Sequence, residues 1–361
     1  MRRLLDRTVL VPVLAIVALA LTWGRDLGPV LIAVVAVLLA GAVLAAVHHA
    51  EVVAHRVGEP FGSLVLAVAV TVIEVALIVT LMVSGGPETS SLARDTVFAA
   101  VMITTTGIVG LSLLVGARRY GVTLFNAEGS GAALATVTTL ATLSLVLPTF
   151  TTSQPGPEFS PGQLTFAALA SLAVYGMFVL TQTVRHRDFF LPVSQGGTLT
   201  EGEEHADPPT TRAALTSLGL LMVALVAVVG LAKIESPAIE DGVAAAGFPP
   251  SFVGVVIALL VLLPETLAAV RAARRGRIQI SLNLAYGSAM ASIGLTIPTI
   301  ALASVWLDGP LLLGLGATQM VLLALTVVVS VLTVVPGRAT RLQGGVHLVL
   351  LAAFVFLAIS P

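Results

Sequence analysis

The chain has 361 residues, 57% of them hydrophobic and only 10% charged, with a mean hydropathy of +1.04 and a formal net charge of −1. Soluble domains carry roughly 25% charged residues, so this composition excludes a soluble globule. The lack of cysteine excludes disulfides, thiolate metal sites and cysteine nucleophiles, and no basic patch with interleaved aromatics points to nucleic acid.

The apolar residues fall in blocks of about 20, the length of a helix crossing ~30 Å of hydrocarbon. The alternating ~10-residue segments of a β-barrel are missing. An all-α polytopic membrane protein is expected. In chain order its spans fall near 5–22, 29–50, 61–83, 94–116, 128–148, 163–184, 211–232, 250–271, 279–304, 309–334 and 344–360, eleven in all. The start, MRRLLDRTVLVPVLAIVALALTW, has the basic-then-apolar form of a signal peptide. With ten spans behind it, it is read as an ordinary first helix.

Loop charge supports this reading. With the N-terminus in the cytoplasm, fifteen basic residues fall on the cytoplasmic side, and only Arg25, Arg94 and Lys233 fall outside. That is the asymmetry of the positive-inside rule. An odd number of spans then places the C-terminus outside. The longest polar connection, 186–210, is cytoplasmic and contains EGEEHADPP. The outer loop Thr149–Gly162 reads as an ordinary exposed loop.

Span three, FGSLVLAVAVTVIEVALIV (61–79), and span eight, FVGVVIALLVLLPETLAAV (252–270), align without a gap, Glu74 on Glu265. Five spans separate them, so they run antiparallel. Spans 2–6 and 7–11 are therefore an inverted repeat, with span one outside it. The expected organisation is a peripheral first helix (1–28), repeat one (29–185), an acidic cytoplasmic linker (186–210) and repeat two (211–361). Inverted repeats belong to secondary transporters, whose substrate site lies near the midplane between the halves.

A carboxylate in mid-membrane is costly and marks a functional site by default. Antiparallel helices can bring Glu74 and Glu265 to one depth. Two like charges in low dielectric stay ionised together only if a cation joins them, so such a pair holds either a hard cation or protons. Pro264 disturbs the turn before Glu265 and frees carbonyl oxygen; on span three only Thr71 adds an oxygen near the acid. Span nine, NLAYGSAMASIGLTIP, carries Asn283, Ser288, Ser292 and Thr296, and span four carries Thr104, Thr105 and Thr106. Small and hydroxyl residues of this kind pack helices or coordinate ions, and Ser288 is the first choice of ligand among them. Glu201, Glu203, Glu204 and Asp207 are either a regulatory cation-sensing segment or a solvated linker. His48, Glu51 and His55 share one face at the end of span two and read as a solvated helix end. Glu128 suits the start of span five. His347 reads as a hydrogen-bonded core residue.

Four stretches carry a family resemblance: GEPFGSLVLAVAVTVIEVALI (58–78), VLLPETLAAVRAA (261–273), NLAYGSAMASIGLTIP (283–298) and LQGGVHLVLLAAFVFL (342–357). With VYGMFVLTQTVRHRDFF (174–190), they resemble the calcium/cation antiporter superfamily, and within it the bacterial ChaA-type calcium/proton antiporters. The resemblance implies eleven helices in a bacterial inner membrane, two inverted five-helix repeats and essential acids at Glu74 and Glu265. It implies a Gly-Asn pair before each acid as well, but Val70-Thr71 and Val261-Leu262 stand there, so amide ligands are missing.

The expected function is export of Ca²⁺ in exchange for H⁺ by alternating access, with no cofactor and with the bilayer, inorganic cations and protons as partners. Na⁺(K⁺)/H⁺ antiport by the same residues is the alternative, since ChaA-type relatives are associated with those ions too. An intramembrane enzyme is a remote third reading: no Asp pair lies in or beside a span, and no serine–histidine arrangement resembles a nucleophile and its base.

Overall fold

A computed structural model describes residues 7–25, 27–58, 61–84, 90–193, 209–306 and 309–361. Eleven helical elements follow one another: α1 (Arg7–Thr22), α2 (Pro29–Val57), α3 (Phe61–Ser84), α4 (Leu92–Met102, continued by Ile103–Ile108 and Val109–Tyr120), α5 (Ala127–Ala141, continued by Thr142–Val146 and Leu147–Phe150), α6 (Pro161–Leu180, continued by Thr181–Arg185), α7 (Thr211–Ala245), α8 (Phe252–Arg274), α9 (Ile278–Ala303), α10 (Ala317–Val334) and α11 (Arg341–Ile359). Nine of these are long and apolar enough to span a membrane, and α1 and α3 add shorter apolar stretches, Thr8–Thr22 and Ala67–Val83. In α4, α5 and α6 the second segment is π-helical. Apolar side chains such as Val37, Phe166, Met177 and Val349 stand exposed around the bundle, as lipid-facing residues must. Exposed Trp23, Phe150 and Trp306 close α1, α5 and α9 at the same end, an aromatic belt.

Contacts between helices carry the inverted symmetry. α9 packs on α6 as α4 packs on α11, and α4 packs on α8 as α9 packs on α3. Each pair maps on the other when the halves are exchanged. The connections repeat the relation. At the arginine-rich end, β1 (Val122–Leu124) pairs antiparallel with β2 (Arg338–Thr340), joining the α4–α5 and α10–α11 connections. At the opposite end Glu158 bridges Leu312, joining the α5–α6 and α9–α10 connections. Glycines make the central contacts close. A methyl at Gly294 would lie 2.8 Å from Tyr175 Cβ on α6, and one at Gly107 would lie 3.2 Å from Leu351 Cδ2 on α11.

Buried apolar residues form two clusters. One joins α1, α2, α3, α7 and part of α8; the other is built mainly from α4, α5, α9 and the rest of α8, with α6, α10 and α11 packed against them. Helices α3 and α8 belong to both. On α3, Ile73 and Leu77 face the first cluster and Val75 and Ile78 the second. On α8, Ile257 and Val261 face the first, and Ala258 and Leu262 the second. The two acid-bearing helices therefore lie along the seam between two packed bodies.

Two boundaries differ from hydropathy. Helix α7 continues past residue 232 to Ala245, through Pro237 and past Lys233, Glu235, Glu240 and Asp241. Hydropathy measures the hydrocarbon, and the helix outlasts it. The stretch 309–316 begins no helix. It lies against the loop once read as merely exposed: Gly314 N–H donates to Pro157 O at 2.9 Å, and Thr149 Oγ1 donates to Leu315 O at 2.8 Å. Such backbone pairing satisfies groups that a short apolar run leaves open, and hydropathy cannot see it.

Candidate functional site

Glu74 is 4% exposed, inside a closed cavity of about 10 Å³, room for no more than about one water. Four helices line it: α3 with Val70, Thr71 and Glu74, α4 with Ala100, α8 with Ala258, Val261 and Leu262, and α9 with Ser288, Ala291 and Ser292. The residues preceding each acid, Val70-Thr71 and Val261-Leu262, thus meet around one space, as inverted repeats require. Ser292 Oγ donates to Glu74 Oε1 at 2.6 Å, a short charge-assisted geometry. Thr296, one turn further along α9, sits beside the same carboxylate. Among the described residues the buried Thr71 hydroxyl has no hydrogen-bond partner. Buried polar groups of that kind are costly unless a ligand or water meets them.

Glu265 is placed differently. It does not line the cavity, and it is half-buried, with Oε2 enclosed and without a hydrogen-bond partner among the described residues. Glu74 and Glu51 both lie within electrostatic range of it, and Glu51 in turn has His48 and Arg271 nearby. Each acid stands thirteen residues after the first residue of its helix, slightly past the middle of α3 or α8. Antiparallel helices at 1.5 Å per residue then set the acids roughly 5 Å apart in depth, Glu265 nearer the arginine-rich end. A row Glu74–Glu265–Glu51 runs from the cavity toward that end. Pro264 lies inside α8 without breaking it; its ring nitrogen cannot donate to the carbonyl of Leu260, which stays open one turn before Glu265.

The other candidates separate into two groups. Ser288, Ser292 and Thr71 border the cavity. Asn283, Thr104 and Thr105 do not. Asn283 Nδ2 donates to Phe190 O at 2.7 Å, and Asn283 Oδ1 accepts from Gln279 Nε2 at 2.9 Å, in a polar knot that also reaches Asn126. Thr104 and Thr105 donate to carbonyls of their own helix, at Ala100 and Val101. Their turn is π-helical, so Val109 N–H reaches the carbonyls of Thr104 and Thr106 and passes over Thr105. The Thr105 carbonyl accepts instead from His347 Nδ1 at 2.9 Å, and His347 Nε2 meets Thr333 Oγ1 at 3.2 Å. Because a carbonyl only accepts, Nδ1 carries a proton. His347 is thus a fully buried tie between α11, α10 and the turn of α4. Glu201, Glu203, Glu204 and Asp207 lie outside the described residues.

Ser288, the first choice of ligand from spacing, borders the cavity beside Ser292, and Glu51 is exposed, as a solvated helix end should be. Periodicity put Ser288, Ser292 and Thr296 on one face but could not say which turn lies level with Glu74. Glu51 carried a signal in its place one helix before the repeat acid.

Known proteins align with the whole of this architecture. The chain matches the family described as sodium/calcium exchanger protein over residues 27–184 and 216–360, the two halves of the inverted repeat. A Sinorhizobium fredii protein described only as an ionic transporter, y4hA, is 45% identical over 359 residues, 98% of this chain and 95% of that one. The sodium-potassium/proton antiporter ChaA of Escherichia coli is 35% identical over 353 residues, 97% of this chain and 95% of that one. Among solved structures, native YfkE superposes with a TM-score of 0.70 at 17% identity, covering 98% of each chain, a likeness of fold. The two sequence relatives are named as a transporter and an antiporter rather than as enzymes, and this chain belongs to the sodium/calcium exchanger family.

Proposed function

We propose that this protein exchanges cytoplasmic Ca²⁺ for external protons, with Glu74 and Glu265 as the groups that bind the cation and the protons in turn. The observation behind this reading is the burial of Glu74 in a closed space shared by both repeats, with Glu265 in electrostatic range. Two carboxylates neutralise one divalent ion, and in low dielectric neither stays comfortably ionised alone. Without the ion, protons take its place. Ca²⁺ takes six to eight oxygens, and Thr71, Ser288, Ser292 and Thr296 supply neutral ones around Glu74. Because α3 and α8 lie between two packed bodies, a shift of one body on the other would open the acids first to one side and then to the other. The arginine-rich loops mark the cytoplasmic side, which puts Glu51 and Glu265 on the inner approach and Glu74 beyond them.

The test is Ca²⁺ uptake driven by a proton gradient into everted membrane vesicles. Glu74→Gln and Glu265→Gln are each expected to reduce uptake to background. Undiminished uptake in both variants would refute the assignment. A second reading, Na⁺(K⁺)/H⁺ antiport through the same residues, is favoured by the full-length likeness to a sodium-potassium/proton antiporter. Adding each cation in turn to acid-loaded vesicles and following a pH-gradient dye separates the two. Collapse of the gradient by Na⁺ or K⁺ and not by Ca²⁺ selects the second.

A further inference from the structure

At the end opposite the arginine-rich loops, the turn after α1 and the far part of α7 enclose a cleft of about 610 Å³. Trp23, Arg25, Lys233 and Asp241 line it together with Thr22, whose hydroxyl is spent on Ala18 O, and Leu27 and Ile32 belong to its apolar wall. Only three of the chain's eighteen Lys and Arg residues are expected at this end, and two of them meet here from positions 208 apart in sequence. Lys233 Nζ stands 5.3 Å from the centre of the Trp23 ring, a cation–π contact that leaves ammonium protons free to donate. Neither cation forms an ion pair with another described residue. The indole marks the depth of the membrane–water boundary.

We propose that this cleft binds the headgroup of an amine-bearing glycerophospholipid of the outer leaflet, a phosphatidylethanolamine. Arg25 and Lys233 hold the phosphate, Asp241 takes the primary ammonium, and the Leu27–Ile32 wall receives the start of an acyl chain. The two signs of charge in one cleft decide the headgroup. Arg25 and Lys233 alone would suit any lipid phosphate, and a choline headgroup has no N–H to give Asp241. A glycerol headgroup carries no cation at all. The cleft lies where α1, the helix outside the repeats, rests on α7: a methyl at Gly230 would strike Leu19 Cδ2. A lipid seated here would hold that junction together. This inference needs the protein to be in a bilayer and does not depend on which ion it carries.

The chain has two tryptophans, so Trp306→Phe leaves Trp23 as the only indole. The full-length Trp306→Phe protein is reconstituted into phosphatidylcholine vesicles doped with phosphatidylethanolamine, phosphatidylglycerol or phosphatidylcholine brominated near the carbonyl. Quenching of Trp23 by the ethanolamine lipid is expected to exceed that by the other two, with an affinity about tenfold higher, the size of one charged hydrogen bond. Arg25→Gln should bring quenching by the ethanolamine lipid down to the level of the other two, because the phosphate that seats the headgroup is no longer held, and Lys233→Gln should do the same with loss of the cation–π contact. Asp241→Asn should leave ethanolamine and glycerol headgroups equal. Equal quenching by all three lipids means annular contact only and overturns the proposal, whether or not the variants fold. So does a preference that survives both Arg25→Gln and Lys233→Gln, or relief of quenching by inorganic phosphate, which would make this a phosphate site.

Discussion

Glu74 and Glu265 occupy equivalent places in two repeats of one chain, yet their surroundings differ. Glu74 is buried, borders the cavity and accepts a hydrogen bond from Ser292 on α9. Glu265 is half-buried, with Oε2 unmatched and with Glu51 as a charged neighbour. The difference comes from the helices behind them. Helix α9 is α-helical throughout and turns Ser292 toward its acid. Its counterpart α4 makes a π turn at Ile103–Ile108, where Thr104, Thr105 and Thr106 spend their hydroxyls on their own helix. Symmetric topology thus carries an asymmetric site, and the asymmetry resides in one turn of backbone.

The largest effect should come from removing the carboxylates, as set out for Glu74→Gln and Glu265→Gln. If Glu265 is the acid reached from the arginine-rich side, Glu51→Gln should weaken the response to cation added on that side and leave maximal uptake intact. Vesicles of both orientations measure this. Next comes the support of the π turn. His347→Ala removes the donor to Thr105 O and opens a cavity in a fully buried place, while Thr333 Oγ1 keeps its bond to Val329 O. A buried group left unsatisfied costs about 1–3 kcal/mol, so a loss of about 3 kcal/mol in stability is expected. A thermal unfolding scan in detergent checks it; an unchanged midpoint would show that the tie carries little.

How much of this was legible in the sequence follows from what each signal measures. Spans, repeats and the two acids are visible because hydropathy and spacing report the membrane directly. The antiparallel relation of α3 and α8 needed only the count of spans between them. Hidden were features made by contact. Nothing in ITTTGI announces a π turn, and Thr104 and Thr105 looked as suited to an ion as Ser292. The extension of α7 to Ala245 and the pairing of Gly314 with Pro157 are likewise backbone matters, written in no periodicity. Glu51 was visible but had no partner in sequence to give it meaning; its place near Glu265 arises only when α2 packs against α8.

The glycine pair offers a finer comparison of the halves. A methyl at Gly294 would press on Tyr175 Cβ, an atom fixed to backbone, whereas at Gly107 it would meet the end of the flexible Leu351 side chain. Gly294→Ala should therefore cost about 2 kcal/mol, within the usual range for overpacking, and Gly107→Ala less than about 1 kcal/mol. Paired unfolding scans decide this. Equal losses would mean that α6 yields as easily as the end of one leucine.

The smallest and most specific difference lies between Ser292 and Thr105, which stand two residues before Gly294 and Gly107 in their respective helices. Ser292→Ala removes the hydroxyl that donates to Glu74 Oε1 at 2.6 Å. A hydrogen bond to a charged group contributes about 1.5–3 kcal/mol, so the apparent cation affinity should fall about tenfold while folding is nearly unchanged. Thr105→Val removes a hydroxyl of similar burial, but one that donates to Val101 O and not to Glu265. Its effect on affinity should stay below about twofold, since the lost bond lies within α4 and the Thr105 carbonyl held by His347 is retained. Cation titrations of the two variants in the same vesicles measure both. Should Thr105→Val weaken affinity as much as Ser292→Ala, the two hydroxyls act alike during the cycle, and the π turn must unwind to present Thr105 to Glu265 in the state not seen here.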